Sequence, residues 1–228
     1  MTAMTSSLRH DGLPLGFKAL LGLAGLAGLA YLLLGSLVEG PMHVLLKGSS
    51  VFLMACAALQ IRNGGAWLAT IMGLGACGDM LLDLPGLFMA GAASFALGHG
   101  VAIACYGQHR RQARGQDRGI AGAMLAYGLA MPLLLVPAGQ SVWPALVYAL
   151  LLCAMAASLW LSRFPRLAAI GAIGFIASDT LLVMRLGGRE LFGPAMDGAL
   201  LWSLYCGGQW LITLGVARGL LAKAARAD

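Results

Sequence analysis

Residues 17–38 read FKALLGLAGLAGLAYLLLGSLV, an apolar run whose only charge, Lys18, sits at its edge. About 20 such residues, rising 1.5 Å each as a helix, cross roughly 30 Å of hydrocarbon. Seven further runs follow at 43–61, 65–84, 86–106, 119–136, 142–162, 166–186 and 195–216. Each reads as a helix, because every backbone N–H and C=O must be satisfied inside lipid, and no run alternates as a barrel strand does. The whole composition agrees. The 228 residues are 60% hydrophobic and 11% charged, with mean hydropathy +0.83. Soluble domains are about 45–50% apolar and about 25% charged, which excludes a water-soluble globule; disorder is excluded by the same excess of apolar residues. The 33 glycines follow no G-X-Y period, so collagen is excluded too. The expected fold class is an all-α polytopic membrane protein of eight transmembrane helices, one integral membrane domain over 1–228.

Most linkers are a few residues of turn formers: Glu39-Gly40-Pro41, Asn63-Gly64-Gly65, Leu84-Pro85-Gly86 and Phe164-Pro165. The stretch from His109 to Arg118 is longer and strongly charged. Eight spans put both termini and the loops after spans 2, 4 and 6 on one side. That side holds Arg9, Lys18, Arg62, Arg110, Arg111, Arg114, Arg118, Arg163, Arg166, Arg218, Lys223 and Arg226, the other only Arg185 and Arg189. The positive-inside rule then predicts that both termini are cytoplasmic. The formal net charge of +6 is read as this topology signal, with some contact to anionic lipid headgroups. Basic residues scattered over several short loops make no nucleic-acid surface. The expected partner is the bilayer of a cell membrane, a bacterial inner membrane; oligomeric state is not read. The first span is too long for a signal-peptide core and is expected to be retained. The five cysteines lie inside spans without a CxxC pair and read as packing residues, so neither a disulfide framework nor a metal site is expected.

A charge at the centre of a membrane helix costs at least about 2.5–3.5 kcal/mol on insertion scales, so intramembrane ionisable groups are where function is sought. They are Lys47, Asp79, His99 and Asp179, with the polar companions Ser178, Thr180, Tyr205 and Gln209. Spans 3 and 7 both carry small-Asp-x-Leu-Leu, in Gly78-Asp79-Met80-Leu81-Leu82 and Ser178-Asp179-Thr180-Leu181-Leu182. The two aspartates are expected at one depth, roughly 7–10 Å inside the outer boundary, with Lys47 near that level as their counter-ion. Asp83 and Asp197, at span ends, read as solvated. Phe95 and His99 share a helix face, as do Tyr205 and Gln209, and Phe88, Phe95, His99 and Tyr106 form one stripe. This pairing of spans 3 and 4 with 7 and 8 raises the expectation of a parallel 4+4 internal repeat around a polar site. Gly73-x-Gly75-x-x-Gly78 imitates a dinucleotide fingerprint but lies inside a membrane helix and is discarded.

At these residues the chain resembles the YhhN-like family of membrane lysoplasmalogenases, the alkenylglycerophosphocholine and alkenylglycerophosphoethanolamine hydrolases. The matching pieces are Gly78-Asp79-Met80-Leu81-Leu82, Phe95-x-x-x-His99 with Tyr106, Ser178-Asp179-Thr180-Leu181 and Tyr205-x-x-x-Gln209. Lys47 resembles a lysine of an early span that the family usually follows with Pro; here Gly48 follows. The resemblance implies hydrolysis of a lysoplasmalogen vinyl ether to a fatty aldehyde and a glycerophospho-base, without a cofactor or metal. It implies Asp79 and Asp179 as an acid and base pair, in either order. Lys47, His99, Tyr205 and Gln209 would contact the lysophospholipid substrate or orient water. The alternative reading of paired intramembrane carboxylates with a lysine is a proton-coupled transporter.

Overall fold

The computed structural model describes residues 12–225. Arg9 and Arg226, counted in the charge asymmetry, lie outside the described residues. Eight helices follow one another: α1 (Leu15–Leu34), α2 (Gly40–Ala58), α3 (Gly65–Leu82), α4 (Phe88–Gln108), α5 (Gly115–Leu135), α6 (Trp143–Trp160), α7 (Arg166–Leu186) and α8 (Pro194–Ala224). All eight are long and apolar enough to cross a membrane, and the described residues contain no strand. A single 3-10 turn, Gly35–Leu37, extends α1, and α8 continues well past the expected limit at 216.

Local sequence sets where the helices begin. Pro41, Pro144 and Pro194 stand in the first turns of α2, α6 and α8, where a missing N–H goes unmissed and a fixed φ suits the helix. Gly64 enters α3 at φ +85°, a left-handed turn against Leu220. Pro132 lies within α5, and the helix ends one turn later with Val136 N–H donating to the Pro132 carbonyl at 3.0 Å.

Helices α3, α4, α6, α7 and α8 close a ring in that order; α1 and α2 cover α8 and α3 from outside, and α5 covers α6 and α7. Small residues permit the tightest crossing. At the α7–α8 contact a Cβ on Gly208 would stand 2.6 Å from the Gly171 carbonyl, and one on Gly215 would stand 2.8 Å from the Ala168 nitrogen. Without a strong hydrophobic drive between helices in lipid, such close approach and interhelical hydrogen bonds hold a bundle together. Ser50 donates to the Ala24 carbonyl at 2.8 Å, Ser94 to Leu74 at 2.7 Å and Ser178 to Leu201 at 2.9 Å. The indoles of Trp202 and Trp210 donate to the α1 carbonyls of Gly28 and Leu21 at 2.8 and 3.0 Å. Leu26, Phe52, Leu97 and Leu134 face outward and are exposed, as lipid-facing positions should be.

The loops after α4 and α6 meet at one end of the bundle. Arg110 and Ser162 form an antiparallel bridge, and Arg163 N–H donates to the His109 carbonyl at 2.8 Å. Asp117 binds Arg111 at 2.9 Å and also Arg166, and accepts from the Trp160 indole at 3.1 Å. Asp197 departs from its expected solvated state. It is 1% exposed, and its two carboxylate oxygens accept from the backbone N–H groups of Leu191 and Phe192 at 2.8 and 3.1 Å. The carboxylate satisfies donors of the α7–α8 turn that would otherwise be orphaned, which is why it folds inward.

Candidate active site

The residues of the two repeated motifs come together although their helices are not neighbours. Asp79 near the end of α3 and Asp179 on α7 both line one cavity of about 390 Å³, inside the ring and reaching the end of the bundle opposite Leu15 and Ala224. Pockets for small ligands commonly run to about 300–1,000 Å³. Asp79 and Asp179 are 2% and 6% exposed. The helices continue unequally beyond them: α3 ends three residues after Asp79, roughly 4.5 Å, and α7 ends seven residues after Asp179, roughly 10.5 Å. The two carboxyls share a cavity although they lie at unequal distances from their helix ends.

Each carboxyl has a tyrosine. The Tyr205 hydroxyl on α8 donates to Asp79 Oδ2 at 2.7 Å. The Tyr148 hydroxyl on α6 lies against the Asp179 carboxyl, and Asp179 Oδ2 is buried without a hydrogen-bond partner. Tyr148 also lines the cavity. Sequence reasoning missed it, since a lone aromatic in an apolar span reads as packing.

Lys47 lines the same cavity but does not neutralise the pair as expected. Its Nζ donates to Asp83 Oδ1 at 2.6 Å, and His43 Nε2 stands 3.4 Å from Asp83 Oδ2. His43 is held in turn, its Nδ1 donating to the Gly35 carbonyl at 2.9 Å. Asp83 is thus the lysine's partner rather than a solvated span end. It caps α3 facing α2, so the lysine meets it before reaching deeper carboxyls.

His99 and Gln209 are on the ring axis but outside this cavity. They line a separate void of about 20 Å³ beneath Phe95 and Phe175, which belong to both spaces. Phe95, Phe175 and Tyr205 make mutual edge contacts, with ring centroids 6.1, 5.9 and 5.1 Å apart. They form a septum across the ring. His99 packs under it, edge-on to Phe175 at 5.4 Å and Tyr148 at 5.6 Å, with Nε2 buried and unpartnered. Phe88, the outer member of the expected stripe, is exposed, whereas Tyr106 is fully buried. The rest of the cavity wall is largely apolar, with Leu82, Met89, Leu182 and Val183 among its lining residues, and with Gln140, Ser141 and Ser178 among its polar members.

This arrangement combines two desolvated carboxyls, a nearby cation and a long apolar wall, which suits acid–base chemistry on an amphiphile. No curated protein and no solved structure matches the chain. A family model does, over residues 42–216, a stretch that takes in every residue of the two motifs, both tyrosines and Lys47. The chain belongs to the YhhN family.

Proposed function

We propose that this protein is a membrane hydrolase that cleaves the vinyl-ether bond of lysoplasmalogens, releasing a fatty aldehyde and glycerophosphoethanolamine or glycerophosphocholine. YhhN family membership fits that activity. The observation that carries the reading is the convergence of Asp79 and Asp179, from helices that do not touch, on one largely apolar cavity.

A vinyl ether hydrolyses when an acid protonates its β-carbon, leaving an oxocarbenium ion that water attacks. Asp179 is assigned the proton, since it lines the cavity and its Oδ2 accepts no hydrogen bond within the protein. Asp79 is assigned the base and the negative charge that steadies the cation, with Tyr205 holding its other face. The Asp179 proton goes to carbon, water adds to the cation, and the water's proton goes to Asp79. The resulting hemiacetal then gives its hydroxyl proton to Asp179 while Asp79 returns its proton to the departing glycerol oxygen. Aldehyde and a free glycerol hydroxyl form, one water is consumed and the pair is reset. Preorganised charges in a dry site are effective here because they need no solvent reorganisation as the cation forms. Lys47 meets the phosphate at the cavity's outer end, and the single tail lies along the apolar wall, reached sideways from the cell-membrane bilayer.

The test is aldehyde release from a vinyl-ether lysophospholipid by purified protein in detergent, beside the ester-linked lysolipid and the variants Asp79→Asn and Asp179→Asn. Aldehyde from the vinyl ether alone, lost in both variants, is the expected result. No aldehyde from well-folded protein would sink the proposal, and uptake of unaltered lipid by liposomes would then favour a carrier.

A further inference from the structure

The void beneath the aromatic septum is mostly apolar, yet it holds buried polar side chains that the proposed chemistry leaves unused. All five ring helices contribute to its wall, and two of its lining residues are polar, His99 and Gln209. Its volume, about 20 Å³, exceeds the roughly 10–15 Å³ that one water requires. His99 is 4% exposed, and its Nε2 has no protein partner; a buried nitrogen left so keeps its full desolvation penalty. Gln209, also 4% exposed, lies one turn beyond Tyr205 on α8, so its amide shares a helix face with the Tyr205 hydroxyl. That hydroxyl is the group that crosses the septum to Asp79.

We propose that the void is a binding site for one ordered water, held between His99 Nε2 and the Gln209 amide, and that this water, Gln209 and Tyr205 form a hydrogen-bonded line ending on Asp79. One assignment gives every link of the line a donor and an acceptor. The water donates to His99 Nε2 and to the Gln209 carbonyl oxygen; the Gln209 NH₂ donates to the Tyr205 oxygen; the Tyr205 hydroxyl donates to Asp79. His99 and Gln209 are then positioning residues that act through Tyr205, which explains why neither lines the substrate cavity. Their bearing on catalysis rests on the hydrolase reading above, whereas the water site and its link to Asp79 do not.

The test uses the full chain in lipid and needs no substrate. A high-resolution structure is expected to show a density peak about 2.7–3.2 Å from His99 Nε2. The infrared carboxyl band of Asp79, identified by its loss in Asp79→Asn, is expected to shift in both His99→Phe and Gln209→Leu. A dry void overturns the site, and an unmoved band in correctly folded variants overturns the line to Asp79. The density criterion rests on the unmodified protein, so a variant that fails to fold does not shelter the proposal. If the hydrolase reading also holds, both variants lower kcat and leave KM nearly unchanged. A fall in affinity alone would return these residues to substrate contact.

Discussion

Tyr205→Phe removes one oxygen from the site and leaves its packing in place. The ring keeps its contacts with Phe95, Phe175 and Trp202 at 5.9, 5.1 and 5.7 Å, so the septum and the α7–α8 crossing survive. What is lost is the 2.7 Å bond to Asp79 Oδ2. Hydrogen bonds to charged groups contribute about 1.5–3 kcal/mol. If Asp79 acts as the base and cation stabiliser, most of that energy is expressed in the transition state. At 1.36 kcal/mol per decade, kcat falls about 10- to 150-fold. The assay is initial-rate aldehyde release over a range of vinyl-ether lysolipid concentrations, with a thermal melt on the same preparation. A melt shifted by a few degrees with the predicted loss in kcat supports the role. Unchanged kcat in a folded protein would refute it, because the strongest hydrogen bond to the carboxyl would then be irrelevant to the chemistry.

Four further outcomes follow from the geometry. Tyr148→Phe, which strips the hydroxyl from beside Asp179, should lower kcat by about tenfold in the same assay, at about 1.4 kcal/mol per decade. Lys47→Met should destabilise by about 1–2 kcal/mol, because Asp83 is left without its partner in a half-buried setting; adding Asp83→Met should recover part of that loss in a double-mutant cycle followed by denaturation. Gly208→Ala sets a Cβ against the Gly171 carbonyl and should cost about 1–3 kcal/mol, as overpacking does. Because it parts α7 from α8, activity should fall with the melting temperature. Asp117→Asn should lower the melting temperature while leaving aldehyde release intact, since its arginine and indole partners lie with the paired loops at the far end of the bundle.

The eight helices were legible because a chain seldom sustains hydrophobicity over a bilayer's width unless it lies in one. The inward facing of Asp79 and Asp179 was legible from the cost of a bare carboxylate in lipid. What periodicity cannot supply is depth relative to a neighbour. Phe95 and His99 share a face of α4, yet the ring of Phe175 stands between His99 and the carboxyls. Helix ends misled for a related reason. Asp83 and Asp197 look free to reach water, but each finds donors nearby, a lysine across from α3 in one case and two turn amides in the other. Tyr148 carried no local signal, because its partner lies on another helix.

The anchoring of α1 bears on how the chain is made. The carbonyls of Leu21, Ala24 and Gly28 receive side-chain donors from α2 and α8. They lie within helix α1, where each carbonyl already has a backbone partner and a lone pair to spare. The Gly28 partner, Trp202, is 174 residues away, and synthesis at about 5–20 residues per second delivers it roughly 9–35 s later. Through that interval α1 can wait in lipid with nothing unsatisfied. The indoles arrive later, and they find acceptors already in place. Helix α1 thus serves as a passive latch, and α8, made well after it, closes it.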